Sequence, residues 1–267
     1  MTTPKANKNL GQHFLNNQAT IEKISNDFEG KYDAIIEVGP GPATITAPIS
    51  KKGKPLFIIE KDKRFIEILE ELDYQEIFFE DALEINLNDQ IFSKSEAIKN
   101  YWFVSNLPYN VGTPIMLKFL KHPEITHCTL MFQKEVAQKV YLGLYPKKKQ
   151  SKEMNSLHAL VTNFFDVSLL KVVPPEEFSP PPKVDSAVIS LVRKNSPKVS
   201  LEDWGPYEKF LRVLFQNRRK QMGKNLKGFI SKEQLTELGI APERRAETLS
   251  LDEVYKLYFS YKGETNE

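Results

Sequence analysis

The feature that most constrains the fold of this chain is an alternation of short apolar runs with segments of helical periodicity. The apolar runs are rich in β-branched and aromatic residues and cover 34–38, 56–59, 77–79, 102–105, 128–132 and 187–192. Helical patterns separate the first three runs, over 44–52 and over 63–72. Strands joined through helices need crossover connections, which favour a parallel sheet with helices on both faces. We therefore predict an α/β fold with a doubly wound, mostly parallel sheet.

The pattern changes after Arg193, and no further strand pattern follows. The segment 194–200 has the polar and proline content of a linker. Helical patterns then cover three segments, 207–216, 232–238 and 251–258. We predict a domain boundary near residue 196, with a first domain over 1–196 and a small, all-helical C-terminal domain over 197–267.

The composition excludes several classes of protein. With 27% charged residues, 40% hydrophobic residues and a net charge of +2, the chain has the profile of a folded globular protein. Its one cysteine, Cys128, excludes an internal disulfide or a cysteine-based zinc cluster and fits a reducing compartment. The longest uncharged run, 100–117, contains two prolines and three asparagines, so we expect no membrane span. The first residues lack an apolar signal core, so we expect a cytoplasmic protein.

Charged residues are segregated along the chain. Segment 60–89 contains eleven acidic and three basic residues, whereas segment 209–230 contains seven basic residues and no acidic one. A second basic tract, PKKKQSK at 146–152, is predicted to lie in a surface loop. An acidic flank beside a basic face can orient a polyanion, because phosphates are attracted to Lys and Arg and repelled by carboxylates. The alternative is a solvated helix surface with no such partner.

The first predicted strand ends in the glycine-containing segment EVGPGPAT. Gly39 and Gly41 allow a sharp turn and a close approach of a ligand to the backbone. A dinucleotide fingerprint needs a third glycine where Thr44 stands, and the Gly-Lys-Ser/Thr of a P-loop is absent. Glu60 ends the second strand, where it can bind ribose hydroxyls, and Asp81 follows the third, where it can accept an adenine amino group. An adenosine site without a phosphate cradle suits S-adenosylmethionine. The alternative is a tight strand-to-helix turn that binds nothing.

The fourth strand runs directly into Asn106-Leu107-Pro108-Tyr109-Asn110. Because proline is disfavoured inside a sheet, the chain leaves the sheet here, at the same edge as the glycines. The Asn106 side-chain oxygen and a nearby backbone carbonyl can bind the amino group of a planar base, and the Tyr109 ring can stack on that base. The alternative is a proline turn with a packed tyrosine.

Further segments carry a resemblance to a known family. They are NLGQHFL at 9–15, IEVGPG at 36–41, NLPY at 106–109, MFQKEV at 131–136, FSPPPKVDS at 178–186, FQNRRK at 215–220 and RAETL at 245–249. In this order they resemble the ribosomal RNA adenine dimethyltransferase family, and most of all its bacterial small-subunit branch, the KsgA/RsmA group. The similarity covers nearly the whole chain.

The resemblance implies a Rossmann-like methyltransferase sheet over 1–196 that uses S-adenosylmethionine, and an RNA-binding helical domain over 197–267. It implies two methyl transfers to N6 of each of two adjacent adenosines in a 3′-terminal hairpin loop of 16S ribosomal RNA, during small-subunit assembly. Residues expected to bind or border the cofactor are His13, Leu15, Gly39, Glu60, Asp81 and Asn106. Residues expected to hold the target base are Asn106, Leu107, Tyr109 and, as a second aromatic wall, Phe178. Residues expected to bind RNA are Lys147, Lys148, Lys149, Arg218, Arg219 and Lys220. We expect a monomer that needs no metal and contacts no membrane.

Two departures from the family pattern and two rival functions remain open. The segment KEMNSLH at 152–158 replaces a family Tyr-Gly and Leu-Ser pattern, which affects the expected shape of the loop over 145–156. Pro42 and Ala43 make the glycine turn stiffer. A related enzyme would methylate large-subunit RNA or DNA adenines. The non-enzyme alternative is a protein that keeps the fold and binds nucleic acid but catalyses no reaction. The presence of Glu60, Asp81 and Asn106 argues against this alternative.

Overall fold

The computed structural model describes residues 4–7, 10–95, 97–150, 152–217 and 220–265. Nine strands are assigned within these ranges: β1 Phe14–Leu15, β2 Ala34–Val38, β3 Leu56–Ile59, β4 Glu76–Phe78, β5 Tyr101–Asn106, β6 Ile125–Gln133, β7 Phe165–Val173, β8 Phe178–Ser179 and β9 Ser186–Arg193. Seven of them form one sheet in the order β4-β3-β2-β5-β6-β9-β7, and β1 pairs with β8 in a separate two-stranded ribbon.

The central sheet is mostly parallel. Strands β4, β3, β2, β5 and β6 are adjacent in this order, and these five strands run parallel to one another. Strand β9 pairs with β6 in the antiparallel direction. The prediction of a doubly wound, mostly parallel α/β sheet is confirmed.

The helices assigned in the described ranges are α1 Gln18–Ser25, α2 Thr46–Ser50, α3 Ile66–Leu69, α4 Gly112–Leu120, α5 Lys134–Val140, α6 Lys147–Gln150, α7 Ser156–Phe164, α8 Trp204–Phe215, α9 Met222–Asn225, α10 Lys232–Glu237 and α11 Leu251–Thr265. The C-terminal helices α8, α10 and α11 lie where the sequence pattern predicted helices. None of the described helices is long and apolar enough to cross a bilayer.

Apolar side chains cover the central sheet on both faces. On one face, Ile35 and Trp102 belong to a buried cluster that also includes Ile24 of α1 and Ile49 of α2. On the other face, Phe103 stacks on Phe119 of α4, with ring centroids 4.4 Å apart. Burial on both faces explains why the strands contain runs of apolar residues without polar alternation.

The chain divides into two compact units. The first comprises residues 1–137 and 167–193, and the second comprises residues 138–166 and 194–267. The change of pattern after Arg193 predicted a single boundary near residue 196 instead. Residues 138–166 belong with the C-terminal segment because α7 packs on α8. Phe164 and Trp204 stack with centroids 4.6 Å apart.

Two local expectations need correction. The tract at 146–152 was predicted to be a surface loop, but 147–150 forms the short helix α6 with exposed lysines. Strand β7 was missed, because it starts at Phe165 immediately after α7 ends at Phe164, so that no turn residue marks its beginning. Several β7 side chains are exposed, and the strand therefore lacks the continuous apolar run of the central strands.

Arg193, the last residue of β9, binds three backbone carbonyls at the start of β6. Its Nε donates to the Ile125 carbonyl at 2.8 Å, and its Nη2 donates to the carbonyls of Leu120 at 2.9 Å and His122 at 2.7 Å. Burial lowers the pKa of this guanidinium to about 10. The Arg193 side chain therefore connects the end of α4 to the start of β6 by hydrogen bonds.

We predict that Arg193→Ala lowers the free energy of unfolding by about 2–3 kcal/mol, because it removes three hydrogen bonds from a partly buried charged donor. Urea unfolding measures the loss. Arg212→Ala is the control, since the Arg212 side chain is 78% exposed and its pair with Glu208 contributes at most about 0.5 kcal/mol. Equal stabilities of the two variants would contradict this role of Arg193.

Candidate active site

One cavity opens where the parallel strands β2, β3, β4 and β5 end. It is lined by residues that directly follow these strands and by the segment 10–15. The residues predicted from the sequence that line it are His13, Leu15, Gly39, Glu60, Asp81, Asn106, Leu107 and Tyr109. The carboxyl edge of a parallel sheet is the usual ligand site in such folds.

The glycine turn after β2 is held in an unusual backbone conformation. Gly39 has φ +68° and Gly41 has φ +54°, a region that side chains with a Cβ rarely adopt. A Cβ on Gly41 would also lie 3.4 Å from the Phe14 ring. Ala43 has φ +62° although it carries a Cβ, which costs about 1 kcal/mol.

Glu60 fixes this turn and faces the cavity. Its Oε2 accepts the Gly41 N–H at 3.0 Å, and its Oε1 accepts the Asp62 N–H at 2.6 Å. Burial raises the pKa of the Glu60 carboxyl, and these two backbone donors oppose that effect. Each oxygen keeps a second lone pair that can accept a hydroxyl proton.

Asp81 lies on the loop that follows β4 and is bound by Lys61. Its Oδ2 accepts from Lys61 Nζ at 2.7 Å, and its Oδ1 accepts the Leu83 N–H at 2.9 Å. The Lys61 hydrogen bond is the main cause of the lowered pKa of Asp81. Lys118 of α4 holds the same loop, donating to the carbonyls of Leu83 at 2.7 Å and Ile85 at 2.5 Å.

Glu37, the fourth residue of β2, is a buried acid that the sequence analysis did not select. It is 2% exposed and lines the cavity. Its Oε2 has no hydrogen-bond partner in the part of the chain that the structure describes. Burial raises the pKa of Glu37 to about 8; the Thr46 hydroxyl opposes this rise, and the negative charge of Glu60 adds to it by a smaller amount. The only sequence signal for Glu37 is its position as the first residue of the E-x-G-x-G motif.

The end of β5 is tied to its neighbours on both sides. Ser105 Oγ donates to the Val38 carbonyl at 2.6 Å, and the Leu107 N–H donates to the Met131 carbonyl at 3.2 Å. Gly112 lies so close that a Cβ on it would be 3.1 Å from the Leu107 Cβ. The segment that follows β5 is therefore fixed by the sheet and by the start of α4.

Asn106 and Tyr109 both contact His13. Asn106 Nδ2 donates to the His13 carbonyl at 3.0 Å. The His13 ring stacks on the Tyr109 ring with centroids 5.4 Å apart and an interplanar angle of 25°. The Tyr109 hydroxyl lies 2.6 Å from Ser186 Oγ, and burial raises its pKa. The amide of Asn106 is thus oriented by a main-chain oxygen.

His13 and its neighbours are joined to the segment around Phe178 by the β1–β8 ribbon. Phe14 pairs with Ser179 and Leu15 with Phe178, and His13 Nδ1 lies 2.8 Å from the Pro180 carbonyl. Phe178 itself is 3% exposed and belongs to the buried cluster, outside the cavity lining. The structure therefore does not bring Phe178 to the cavity, and its assignment as a second wall remains a prediction.

A cluster of polar side chains anchors the N-terminal segment beside Glu60. Gln12 Nε2 donates to Asp62 Oδ2 at 2.9 Å, and Arg64 donates to both Asp62 oxygens, at 2.9 Å and 2.6 Å. Arg64 Nη1 also donates to the Lys5 carbonyl at 3.1 Å. The Arg64 hydrogen bonds are the main reason that the pKa of Asp62 falls to about 2. No sequence signal pointed to this long-range contact.

Four of the six predicted RNA-binding residues are described by the structure, and none of the four lines the cavity. Lys147, Lys148 and Lys149 are exposed on α6, in the second unit, and Lys220 is exposed in the same unit. Lys149 Nζ lies 4.8 Å from the centre of the Tyr145 ring. Arg218 and Arg219 lie outside the described residues.

The cavity suits an adenosyl ligand that carries positive charge and no phosphate. Glu37, Glu60 and Asp81 all line it, and such an acidic lining disfavours a phosphate group. The Glu37 Oε2 atom is buried without a partner, so a cationic ligand would both favour its ionised form and satisfy it. The residues therefore fit S-adenosylmethionine.

The sheet order, the glycine turn and the acidic strand ends define the class of Rossmann-like methyltransferases. The family model for ribosomal RNA adenine dimethylase matches residues 3–262. The chain therefore belongs to the ribosomal RNA adenine dimethylase family, whose enzymes transfer methyl groups from S-adenosylmethionine to adenines of ribosomal RNA.

Individual relatives agree with this family. The Ribosomal RNA small subunit methyltransferase A of Clostridium botulinum (strain Okra / Type B1) is 38% identical over 264 residues, which cover 95% of this chain and 93% of that protein. The protein of the same name from Sulfurihydrogenibium sp. (strain YO3AOP1) is 36% identical over 265 residues, 97% of each. The crystal structure of a dimethyladenosine transferase from Plasmodium falciparum has the same fold, with a TM-score of 0.74, 22% identity and coverage of 95% of this chain and 98% of that one.

We predict that Glu37→Gln removes part of the pH dependence of stability. The folded-state pKa of about 8 lies above the ordinary value of 4.5, so the folded protein keeps a proton that the unfolded chain releases in this interval. The stability of the ligand-free wild type therefore falls as pH rises through this window, by up to about 1.4 kcal/mol per pH unit. Urea unfolding at several pH values compares wild type, Glu37→Gln and the control Glu29→Gln, whose parent side chain is 73% exposed. Identical slopes for all three proteins would refute the assignment.

Proposed function

We propose that this chain transfers two methyl groups to N6 of each of two adjacent adenosines in the 3′-terminal hairpin loop of 16S ribosomal RNA, within the assembling small subunit. The shared name of the bacterial relatives, Ribosomal RNA small subunit methyltransferase A, supports the choice of the small subunit. We further propose that the protein acts in the cytoplasm as a monomer, that the unit of residues 1–137 and 167–193 carries the chemistry, and that the unit of residues 138–166 and 194–267 binds RNA.

The observation that carries this proposal is the orientation of the Asn106 amide. Its Nδ2 donates to the His13 carbonyl, so the amide cannot turn over without losing that hydrogen bond. The Oδ1 atom then faces away from His13, and no described residue donates to it. An oxygen held in this way can accept an N6–H of adenine, aim the nitrogen lone pair and stabilise the positive charge that develops on N6.

Tyr109 offers a flat surface beside that oxygen. The His13 ring stacks on one face of the Tyr109 ring, so in this proposal the base would stack on the opposite face. A stacked adenine gains about 1–3 kcal/mol from such a contact. In this proposal Leu107 borders the base, and Phe178 is the candidate for a second aromatic wall.

The acidic strand ends would hold the cofactor. Glu60 would accept the ribose hydroxyls, Asp81 would accept the adenine amino group, and Gly39 would leave room for the ligand at the turn. His13 and Leu15 would cover the ligand from the N-terminal segment. When bound, S-adenosylmethionine supplies a methyl group on a cationic sulfur, and Glu37 is the buried acid whose ionised form would balance positive charge nearby.

The basic residues of the second unit would increase the affinity for RNA without distinguishing one base from another. We propose that Lys147, Lys148, Lys149 and Lys220, with Arg218 and Arg219, contact phosphates of the RNA. Phosphate contacts position the RNA, and the cavity then selects the base. An adenosine in a loop is already partly unstacked, so moving it into the cavity costs less than extruding a base from a duplex.

We predict that Asn106→Ala lowers methyl transfer by about 100-fold or more, because it removes both the oxygen that orients N6 and the nitrogen that donates to the His13 carbonyl. RNA binding should be retained, because the basic residues that contact phosphates are unchanged. Unmethylated small subunits and, separately, large subunits are incubated with tritiated S-adenosylmethionine, and the labelled nucleotides are mapped by nuclease digestion and mass spectrometry. The wild type should label two adjacent adenosines of 16S RNA, and so should the control Asn86→Ala, which changes an exposed residue outside the cavity lining. Label in large-subunit RNA alone would refute the proposed target, and full labelling by Asn106→Ala would refute the role of Asn106.

A further inference from the structure

An exposed phenylalanine lies on the connection between α9 and α10. Phe229 is 42% exposed, and the residue before it, Gly228, has φ +91°. Within the described ranges, only two aromatic side chains are among the large apolar side chains that remain exposed, and both belong to the second unit: Phe229 and Phe259. Neither was selected from the sequence.

The position of Phe229 is fixed, although much of its ring faces solvent. Its N–H donates to the Leu226 carbonyl at 2.8 Å, and the N–H of Ile230 donates to the same carbonyl at 3.0 Å. Leu226 and Ile230 are both buried, so they anchor the turn on either side of the phenylalanine. The Phe229 ring also lies against Tyr261, with centroids 6.1 Å apart. A ring supported in this way needs little ordering when a ligand binds to its open face.

The surroundings of this ring are basic. Lys224, Lys227 and Lys232 are exposed, and the sequence contains no acidic residue between 209 and 232. No ion pair is recorded for Lys224 or Lys227 among the described residues. The Cγ of Lys232 lies 3.3 Å from the place that a Cβ on Gly223 would occupy, which brings this lysine back to the start of α9. The turn therefore carries one exposed aromatic ring together with exposed lysines.

This combination fits a nucleic acid better than a protein or a membrane. A stable protein interface needs a contiguous apolar patch, whereas the neighbours of Phe229 in the sequence are Lys227, Gly228 and Ser231 on the surface. Sites for single-stranded RNA instead combine an aromatic ring, on which a base stacks, with basic side chains that bind the flanking phosphates.

We propose that Phe229 is a stacking site for an unpaired nucleobase of the RNA substrate, and that Lys224 and Lys227 bind the phosphates beside it. This site is separate from the cavity that receives the target adenosine, and it accepts any base, since stacking needs only a flat ring. The inference rests on the proposed function in that it takes ribosomal RNA of the small subunit as the bound partner.

The test measures binding of the full chain to unmethylated small subunits at several salt concentrations. Phe229→Ala should weaken binding by about 5- to 100-fold, which is the range for loss of one stacked base. Its salt dependence should stay unchanged, because no charge is lost. Lys224→Gln with Lys227→Gln should instead reduce the slope of log affinity against log salt by about 1.4, since each phosphate contact contributes about 0.7 for single strands. Phe229→Trp should retain binding.

Phe259→Ala is the matched control. Phe259 is 43% exposed on α11, and Lys262, one helical turn away, is bonded to Asp203 at 2.5 Å. Its loss should leave RNA affinity unchanged. A single-stranded RNA of about 12 nucleotides is measured in parallel, and Phe229→Ala should weaken its binding as well.

Three outcomes would contradict either the stacking site or the proposed function, and each gives a different experimental result. If Phe229→Ala binds subunits as tightly as the wild type, the stacking site is wrong while the proposed function stands. If Phe229→Ala weakens binding to subunits but not to the short RNA, Phe229 contacts a protein, and the stacking site is again wrong. If the wild type itself neither binds nor methylates small subunits, the proposed function fails.

Discussion

The hydrogen bond from Asn106 Nδ2 to the His13 carbonyl is the contact on which the site depends. It joins the end of a central strand to an N-terminal segment that is almost a hundred residues away in sequence. The N-terminal segment is in turn held by its ribbon with Phe178 and Ser179 and by the contact of His13 with the Pro180 carbonyl. Three distant segments therefore determine which way one amide faces, and that direction decides where its acceptor oxygen points in the cavity.

The carboxyl groups of the cavity are placed in different electrostatic states. Asp81 is kept ionised by Lys61, whereas burial holds Glu37 largely protonated at neutral pH in the ligand-free protein. Two opposing effects act on the Glu60 carboxyl: burial raises its pKa, whereas two backbone donors favour its charged form. A set of acids that can gain negative charge when a cation arrives explains how the cavity can prefer a cationic adenosyl ligand over a phosphorylated one.

Local patterns predicted the sheet and most of the cavity, because strand ends in a parallel sheet converge by topology. Gly39, Glu60, Asp81 and Asn106 were identified as residues at strand ends, and the structure brings them into one cavity. Contacts that depend on distant parts of the chain could not be read in this way. The bond of Lys61 to Asp81 and the anchoring of Gln12 by Asp62 require knowledge of which loops meet. Strand β7 escaped notice because no turn separates it from α7.

A crystal structure of the full chain with S-adenosylhomocysteine and adenosine tests the central claim most directly. We expect ribose hydroxyls within hydrogen-bond distance of Glu60, the ligand's adenine amino group at Asp81, and the second adenosine on Tyr109 with its N6 at Asn106 Oδ1. The Nδ2 atom should still donate to His13. A structure in which that amide has turned over, or in which the two nucleosides occupy a different surface, would contradict the account.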